Sequence, residues 1–200
     1  MIARVVLLVS LSAAVAAPGV AQGSPPAPVQ ATTNPQTVQP GPVVGDVAPD
    51  FTGVGADKGG TLKDPVRLAD LKGKTVVLAL FPRARTSGCT MQLTSYRDQY
   101  ATLFNGGKDV VLLAISNDAD TTLTNWAKDA NFPFKFVSDK DGSIGRKYGS
   151  MTETSTAARR FLYVIAPDGK IVHTAKQFQP ARPSDYTDLG DAIKKAMGAK

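Results

Sequence analysis

Apolar residues in this 200-residue chain gather in short runs, separated by glycine, proline and polar residues. Thr75–Leu80 (TVVLAL) is almost continuously apolar, which is typical of a central strand that is covered on both faces. Val110–Ile115 (VVLLAI) predicts a second buried strand for the same reason. Three further runs predict shorter strands, at Phe134–Val137, Phe161–Ala166 and Lys170–Ala175. The Asp-Gly turn between the last two runs predicts that they form a hairpin.

Between these strands the apolar residues follow the spacing of helices. The first helix is predicted over Met91–Phe104, with an apolar stripe formed by Met91, Leu93, Tyr96, Tyr100, Leu103 and Phe104 and a stop at Asn105-Gly106-Gly107. Asn117–Asp120 supplies caps for a second helix that runs through Trp126 to Ala130. A short helix is predicted at Ile144–Tyr148, and a closing helix at Ser184–Met197 with Ser184 as its N-cap.

This order of elements predicts an α/β fold. Strands that alternate with helices pair in parallel through crossovers, and a final hairpin adds an antiparallel edge. Hydrophobic residues make up 42% of the chain, which is enough for one globular domain of roughly 150 residues with its own core. We therefore expect a mixed central sheet flanked by helices.

The first residues have the pattern of a secretory signal. Arg4 precedes an apolar stretch rich in small residues, Val5–Ala17, which is shorter than the about 20 residues that a membrane-spanning helix needs. We predict a signal peptide over residues 1–22, cleaved after Ala17 or before Gln22, and export to a bacterial periplasm or the outside; an uncleaved N-terminal anchor is the alternative. Residues 23–44 are rich in Pro, Gln and Thr and carry no charge, so we expect a disordered linker there and the domain over residues 45–200.

Charge and composition argue against several other functions. The chain has 23 basic and 17 acidic residues, but the basic residues are scattered, so we expect no nucleic-acid partner. His173 is the only histidine and lacks neighbours that could complete a metal site. Asp139 and Asp141 do not have the spacing of a calcium loop. No metal or other cofactor is therefore expected.

The only cysteine, Cys89, is the candidate for chemistry. It lies in Leu80–Thr94 (LFPRARTSGCTMQLT), which leads from a buried strand through a loop into a helix, so Cys89 is expected in the first helical turn. Unpaired N–H groups and the helix dipole favour a thiolate there, whereas a free cysteine is mostly protonated at pH 7. Arg83 and Arg85 add positive charge to the loop, and Thr86 can cap the helix or turn toward the sulfur. The alternative is that Cys89 is a small, unreactive core residue.

Pro82, Thr86 and Cys89 form the spacing P-x-x-x-T-x-x-C, directly after an apolar strand and before a helix. This arrangement resembles the active-site signature of the peroxiredoxins, and the TSGCT sequence is most similar to their bacterioferritin-comigratory-protein (Bcp) branch. Gly45–Phe51 (GDVAPDF) also resembles the opening segment of thioredoxin-like peroxidases. The resemblance implies a thioredoxin-like fold and a thiol-dependent peroxidase that reduces hydrogen peroxide and organic hydroperoxides.

The resemblance also implies roles for four residues. Cys89 would attack the peroxide and become a sulfenic acid, Thr86 would hydrogen-bond the peroxide, and Pro82 would shield the sulfur from water. The second active-site arginine of the family precedes a late strand, in a pattern that Arg160 fits, with Arg159 as its solvent-facing neighbour. Without the resemblance, an edge-strand charge that keeps the sheet soluble would be the favoured interpretation of Arg160.

The chain contains no second cysteine. Thr94 occupies the position, five residues after Cys89, at which related enzymes often carry a resolving cysteine. No intramolecular disulfide can form, so the sulfenic acid is expected to be reduced by an external thiol or thiol-protein. We expect a monomer or homodimer without a stable membrane span. The alternative function is a thioredoxin-like binding or redox-partner module without peroxidase turnover, although a disulfide exchanger would normally need C-x-x-C.

Overall fold

The computed structural model describes residues 40–198, and a mixed sheet of eight strands lies at its centre. The strands are β1 (Thr52–Asp57), β2 (Gly60–Thr61), β3 (Val66–Arg67), β4 (Thr75–Leu80), β5 (Val110–Ser116), β6 (Lys135–Ser138), β7 (Phe161–Ile165) and β8 (Ile171–Ala175). Their order across the sheet is β2-β1-β6-β5-β4-β7-β8, with β3 paired to β1. β4 is parallel to β5 and antiparallel to β7, and β7 and β8 form the predicted hairpin. The expectation of a mixed sheet is confirmed.

Within residues 40–198, five α-helices connect or cover these strands. They are α1 (Ser87–Asp98), α2 (Tyr100–Leu103), α3 (Asp120–Asp129), α4 (Ser143–Lys147) and α5 (Pro183–Gly198), with 3₁₀ turns at Leu68–Leu71 and Asn105–Gly107. The prediction of one continuous helix through Phe104 is wrong, because the helix breaks at Gln99, which has φ −100° and ψ 13°. Ser184 is not an N-cap either, since α5 already begins at Pro183. Proline suits a first helical position because its missing N–H would have no partner there.

β4 separates two apolar clusters that form the core. Its side chains alternate, so that Val77 and Ala79 face one cluster while Val76, Leu78 and Leu80 face the other. Every residue of β4 is buried, as expected for a strand that is covered on both faces. A rigid, fully covered strand therefore leads into the loop that carries the candidate site.

The register of the sheet determines which chain segments meet at one edge. Leu80, the last residue of β4, pairs with Ile115 near the end of parallel β5 and with Phe161 at the start of antiparallel β7. The loop after β4, the residues after β5 and the residues before β7 are therefore neighbours in space. Cys89 and Arg160 meet for this reason, although 71 positions separate them in sequence.

Residues before Gly45, the predicted start of the domain, also pack against the described part of the chain. Gly41 is buried, and the carbonyl of Tyr148 and the hydroxyl of Tyr163 leave no room for a side chain on it. The predicted signal peptide and most of the predicted linker lie outside the described residues. Within residues 40–198, no helix is long and apolar enough to cross a membrane.

Candidate active site

Cys89 is the third residue of α1, and it is completely buried. Thr86 occupies the N-cap position with an extended backbone, and its carbonyl accepts a hydrogen bond from the N–H of Thr90 at 2.8 Å. The expected position of Cys89 in the first turn of a helix is thus confirmed. The first turn of a helix carries unpaired N–H groups and partial positive charge, which interact favourably with a negatively charged group.

Arg160 supplies a full positive charge at the sulfur. Its Nη2 lies 3.4 Å from Cys89 Sγ, in a half-buried position directly before β7. Gly88 allows this approach, because a Cβ at that position would lie 3.2 Å from Nη2. A hydrogen bond from a charged guanidinium is stronger than one from a neutral donor. Arg159 is exposed, so the predicted division of roles between the two arginines agrees with their burial.

A buried polar pair holds Arg160 from the other side. Arg160 Nη1 donates to Gln92 Oε1, and Gln92 Nε2 donates to the hydroxyl of Tyr96 at 2.8 Å. Gln92 and Tyr96 are fully buried, and burial raises the pKa of Tyr96 well above its usual range, so the phenol stays neutral. The guanidinium is therefore positioned by a neutral amide, which leaves its charge available to the sulfur.

Sequence reasoning assigned no function to Gln92 or Tyr96. Both lie on the same face of α1 as Cys89, at helical spacings of three and seven residues. A glutamine that interrupts an otherwise apolar helix face beside a reactive cysteine is a signal that could have indicated a polar contact at the site.

The loop that carries Thr86 differs in part from the sequence prediction. The Thr86 hydroxyl makes no capping hydrogen bond and instead donates to the carbonyl of Arg83 at 3.0 Å. Arg85 has a φ of 62° and pairs with Asp129 at 2.6 Å, so the expectation that its charge acts at Cys89 is wrong. Arg83 is exposed and Pro82 is half-buried in the same loop. Cys89 and Arg160 thus make direct contact, whereas Thr86 and Pro82 lie on the loop that leads into α1.

The residues considered for metal binding have other contacts. Asp139 accepts hydrogen bonds from the backbone N–H groups of Ile144 at 3.0 Å and Gly145 at 2.8 Å, and therefore caps α4. Burial raises the pKa of this carboxyl, although the two N–H groups act in the opposite direction. Among the described residues, no group of three or more His, Cys, Asp and Glu side chains is arranged to hold a metal ion.

The chain is similar to a known protein family and to several named relatives. The model of the AhpC/TSA family matches residues 44–174. The chain is 36% identical over 118 residues to a putative peroxiredoxin Bcp of Coxiella burnetii, which covers 59% of this chain and 74% of that protein. It is 32% identical over 147 residues to the peroxiredoxin Bcp of Escherichia coli, covering 70% and 90% of the two chains. A chloroplastic peroxiredoxin Q of Sedum lineare is 34% identical over 134 residues, covering 64% and 70%.

Solved structures show the same fold. Enterococcus faecalis AhpC superimposes with a TM-score of 0.66 at 19% identity, over 78% of this chain and 96% of that chain. The peroxidoxin BcpB of Mycobacterium tuberculosis gives 0.64 at 25% identity, over 76% and 96%. The family match, the relatives and the fold together define a thiol-dependent peroxidase with a thioredoxin-like fold. The chain belongs to the AhpC/TSA family, where it resembles the Bcp and peroxiredoxin Q proteins.

Proposed function

We propose that Cys89 is the peroxide-reactive cysteine of a one-cysteine peroxidase. The thiolate attacks the terminal oxygen of ROOH, the O–O bond breaks, and the departing oxygen takes up a proton to leave as ROH or water. Cys89 becomes a sulfenic acid. The observation that carries this proposal is the contact of 3.4 Å between Arg160 Nη2 and the buried Sγ of the only cysteine.

Arg160 acts both before the reaction, on the sulfur, and in the transition state, on the departing oxygen. In the resting enzyme its guanidinium stabilises the thiolate, and in the transition state negative charge moves onto the departing oxygen. A fixed cation beside the reacting atoms stabilises that charge without having to reorganise. Pro82, half-buried after the end of β4, limits the access of water to the sulfur.

An external thiol then returns Cys89 to its reduced form. The first thiol displaces water from the sulfenic acid and forms a mixed disulfide, and a second thiol releases Cys89 as the thiol and leaves as a disulfide. Thr94, on α1, has no sulfur to replace the external thiol. The complete burial of Cys89 also opposes a disulfide between two copies of this residue.

Turnover experiments test this cycle directly. Peroxide consumption by the full chain is measured with dithiothreitol, with a reduced thioredoxin and with no thiol, and the protein is examined by intact mass. We expect one equivalent of peroxide to be consumed without thiol and continuous consumption with it. Accumulation of a Cys89-linked dimer during turnover would contradict the proposed cycle.

The Thr86→Val variant tests the role of the Thr86 hydroxyl. That hydroxyl donates its proton to Arg83, so its lone pairs remain free to accept the O–H of a hydroperoxide. Valine keeps the shape and removes the acceptor, so we expect the second-order rate constant with hydrogen peroxide to fall by about 10- to 100-fold. Thr86→Ser, which keeps the hydroxyl, is the control and should retain most of the rate. If the rate constant falls equally in Thr86→Val and Thr86→Ser, the Thr86 hydroxyl does not bind the peroxide.

We also propose that the chain is exported. The support is the Arg4 and Val5–Ala17 pattern, together with a family match that begins only at residue 44. Expression of the full chain in a bacterial host, followed by fractionation and intact mass, is expected to give a periplasmic protein whose first residue follows Ala17 or Ala21. A full-length product in the cytoplasm would contradict the proposal, and a full-length product in the membrane fraction would support the anchor alternative.

A further inference from the structure

Asp118, the second residue after the end of β5, holds the loop that leads to Cys89. Its Oδ2 accepts hydrogen bonds from the backbone N–H of Ala84 at 2.7 Å and from the hydroxyl of Ser116 at 2.9 Å. Ala84 is buried and lies midway between Pro82 and Thr86. The Asp118 carbonyl in turn accepts a hydrogen bond from the hydroxyl of Ser138 at 2.7 Å, which ties it to β6.

The preceding residue, Asn117, holds the segment that leads to Arg160. Its Oδ1 accepts a hydrogen bond from the backbone N–H of Ala158 at 3.1 Å, and its Nδ2 donates to the carbonyl of Asp139 at 2.7 Å. Ala158 is buried and lies two residues before Arg160. This segment follows α4 and has no regular secondary structure before β7. A backbone hydrogen bond from the N–H of Arg159 to the carbonyl of Ser150 at 2.8 Å and the side-chain bond from Asn117 hold its backbone just before Arg160.

Two neighbouring residues at one strand end therefore anchor the two segments that carry the reacting groups. Ala84 and Ala158 both present a backbone N–H that no strand or helix satisfies, and each finds its partner on Asn117 or Asp118. The end of β5 is fixed by its parallel pairing with β4 and β6. Because both segments are bonded to the same fixed strand end, this part of the sheet sets the distance between them.

We propose that Asn117 and Asp118 are positioning residues that set the contact between Cys89 Sγ and Arg160 Nη2. This inference rests on the proposed roles of Cys89 and Arg160. A hydrogen bond at 3.4 Å to sulfur weakens quickly when its distance or angle changes. A displacement of about 1 Å at a reacting group can cost about 100-fold in rate. Neither residue touches the sulfur, so both act through the segments that they hold.

A double-mutant cycle separates positioning from general stability. The second-order rate constant with hydrogen peroxide is measured for Asn117→Ala and Asp118→Ala, each in the parent protein and together with Arg160→Ala. In the parent we expect losses of about 10- to 100-fold. When Arg160 is already replaced by Ala, the additional Asn117→Ala substitution should change the rate constant by less than about 2-fold. Asn117 acts by positioning Arg160, so its effect is lost when the arginine is absent.

Conservative and matched substitutions complete the test. Asp118→Asn keeps a side-chain oxygen that can accept the Ala84 N–H, so it should recover the rate to within about 3-fold of the parent. Asn125→Ala makes the same Asn-to-Ala change at an exposed position of α3, and it should leave the rate constant with hydrogen peroxide unchanged. Thermal unfolding of each variant is followed in parallel. If Asn117→Ala does not fold, the comparison of Asp118→Ala with Asp118→Asn carries the test by itself.

Two results would overturn the inference. One is an Asn117→Ala effect that is equally large with and without Arg160, and the other is an Asp118→Asn variant as slow as Asp118→Ala. Failure of the proposed function has a different signature. In that case the parent protein itself would react with peroxide no faster than free cysteine does.

Discussion

Arg160→Ala is expected to slow the reaction of Cys89 with hydrogen peroxide by about 100- to 1,000-fold, the loss that follows removal of one electrostatic donor from a preorganised site. The substitution removes the Nη2 contact to Sγ and the positive charge that meets the departing oxygen. It also leaves Gln92 Oε1 without its partner in a fully buried position. Stopped-flow mixing with excess peroxide, followed through the fluorescence of Trp126, gives the rate constant.

Arg159→Ala is the matched control for this prediction. Arg159 is the exposed neighbour of Arg160, so the same loss of charge occurs one position away without loss of the sulfur contact. Its rate constant should stay within about 2-fold of the parent, as for a screened surface charge. Arg160→Lys should fall between the two, since a single ammonium cannot reproduce the fork that contacts both Sγ and Gln92. Equal rate constants for Arg159→Ala and Arg160→Ala would show that Arg160 has no special role in the reaction.

Cys89→Ser is expected to abolish peroxide consumption altogether. The chain has no other sulfur nucleophile of this type, and a serine hydroxyl is far less ionised and less nucleophilic than a thiol. The protein should still fold, because serine is close in size to cysteine and its oxygen can accept the hydrogen bond from Arg160. Intact mass after peroxide treatment should show no rapid addition of oxygen.

Met91→Leu controls for a second site of oxidation. Met91 is 49% exposed and lies two residues from Cys89, and its thioether can also take up one oxygen. The Met91→Leu variant should keep the full fast phase and the oxygen that is added with it. If Cys89→Ser retains the fast phase and Met91→Leu loses it, the reactive sulfur is Met91 and the proposed mechanism is wrong.

The central strands and the position of Cys89 could be predicted because they depend on local sequence. β4 matches its predicted bounds, since six consecutive buried residues leave an unbroken pattern. The break between α1 and α2 could not be predicted, because Tyr100 and Leu103 of α2 pack, partly buried, against the same apolar cluster as α1, and the apolar stripe continues across Gln99. Periodicity reports which face is buried, and it does not report whether the backbone is continuous.

The local sequence pattern of β1 does not predict a strand, although the resemblance of Gly45–Phe51 to an opening segment implies one after Phe51. Its sequence, TGVGAD, contains Gly53 and Gly55, which lower strand propensity. A Cβ at either glycine would lie too close to the side chain of Val137 or Leu62 unless that side chain moved. The cause is thus tertiary packing, which leaves no local pattern in the sequence.

At the site, family resemblance supplied what the local sequence could not. The partnership of Arg160 with Cys89 depends on the pairing of β7 with β4, which joins distant parts of the chain. The roles of Asn117 and Asp118 depend on the same kind of long-range contact. Arg85 shows the opposite case, because a charge that is close to Cys89 in sequence is directed to Asp129 by its left-handed backbone.

Single-turnover oxidation of the reduced full chain tests the central claim most directly. One equivalent of hydrogen peroxide is mixed with the protein, Trp126 fluorescence gives the rate, and intact mass with peptide mapping locates the added oxygen. We expect one oxygen on Cys89, added far faster than to free cysteine under the same conditions. A Cys89 that reacts no faster than free cysteine would contradict the account and would favour a thioredoxin-like binding or redox-partner module without turnover.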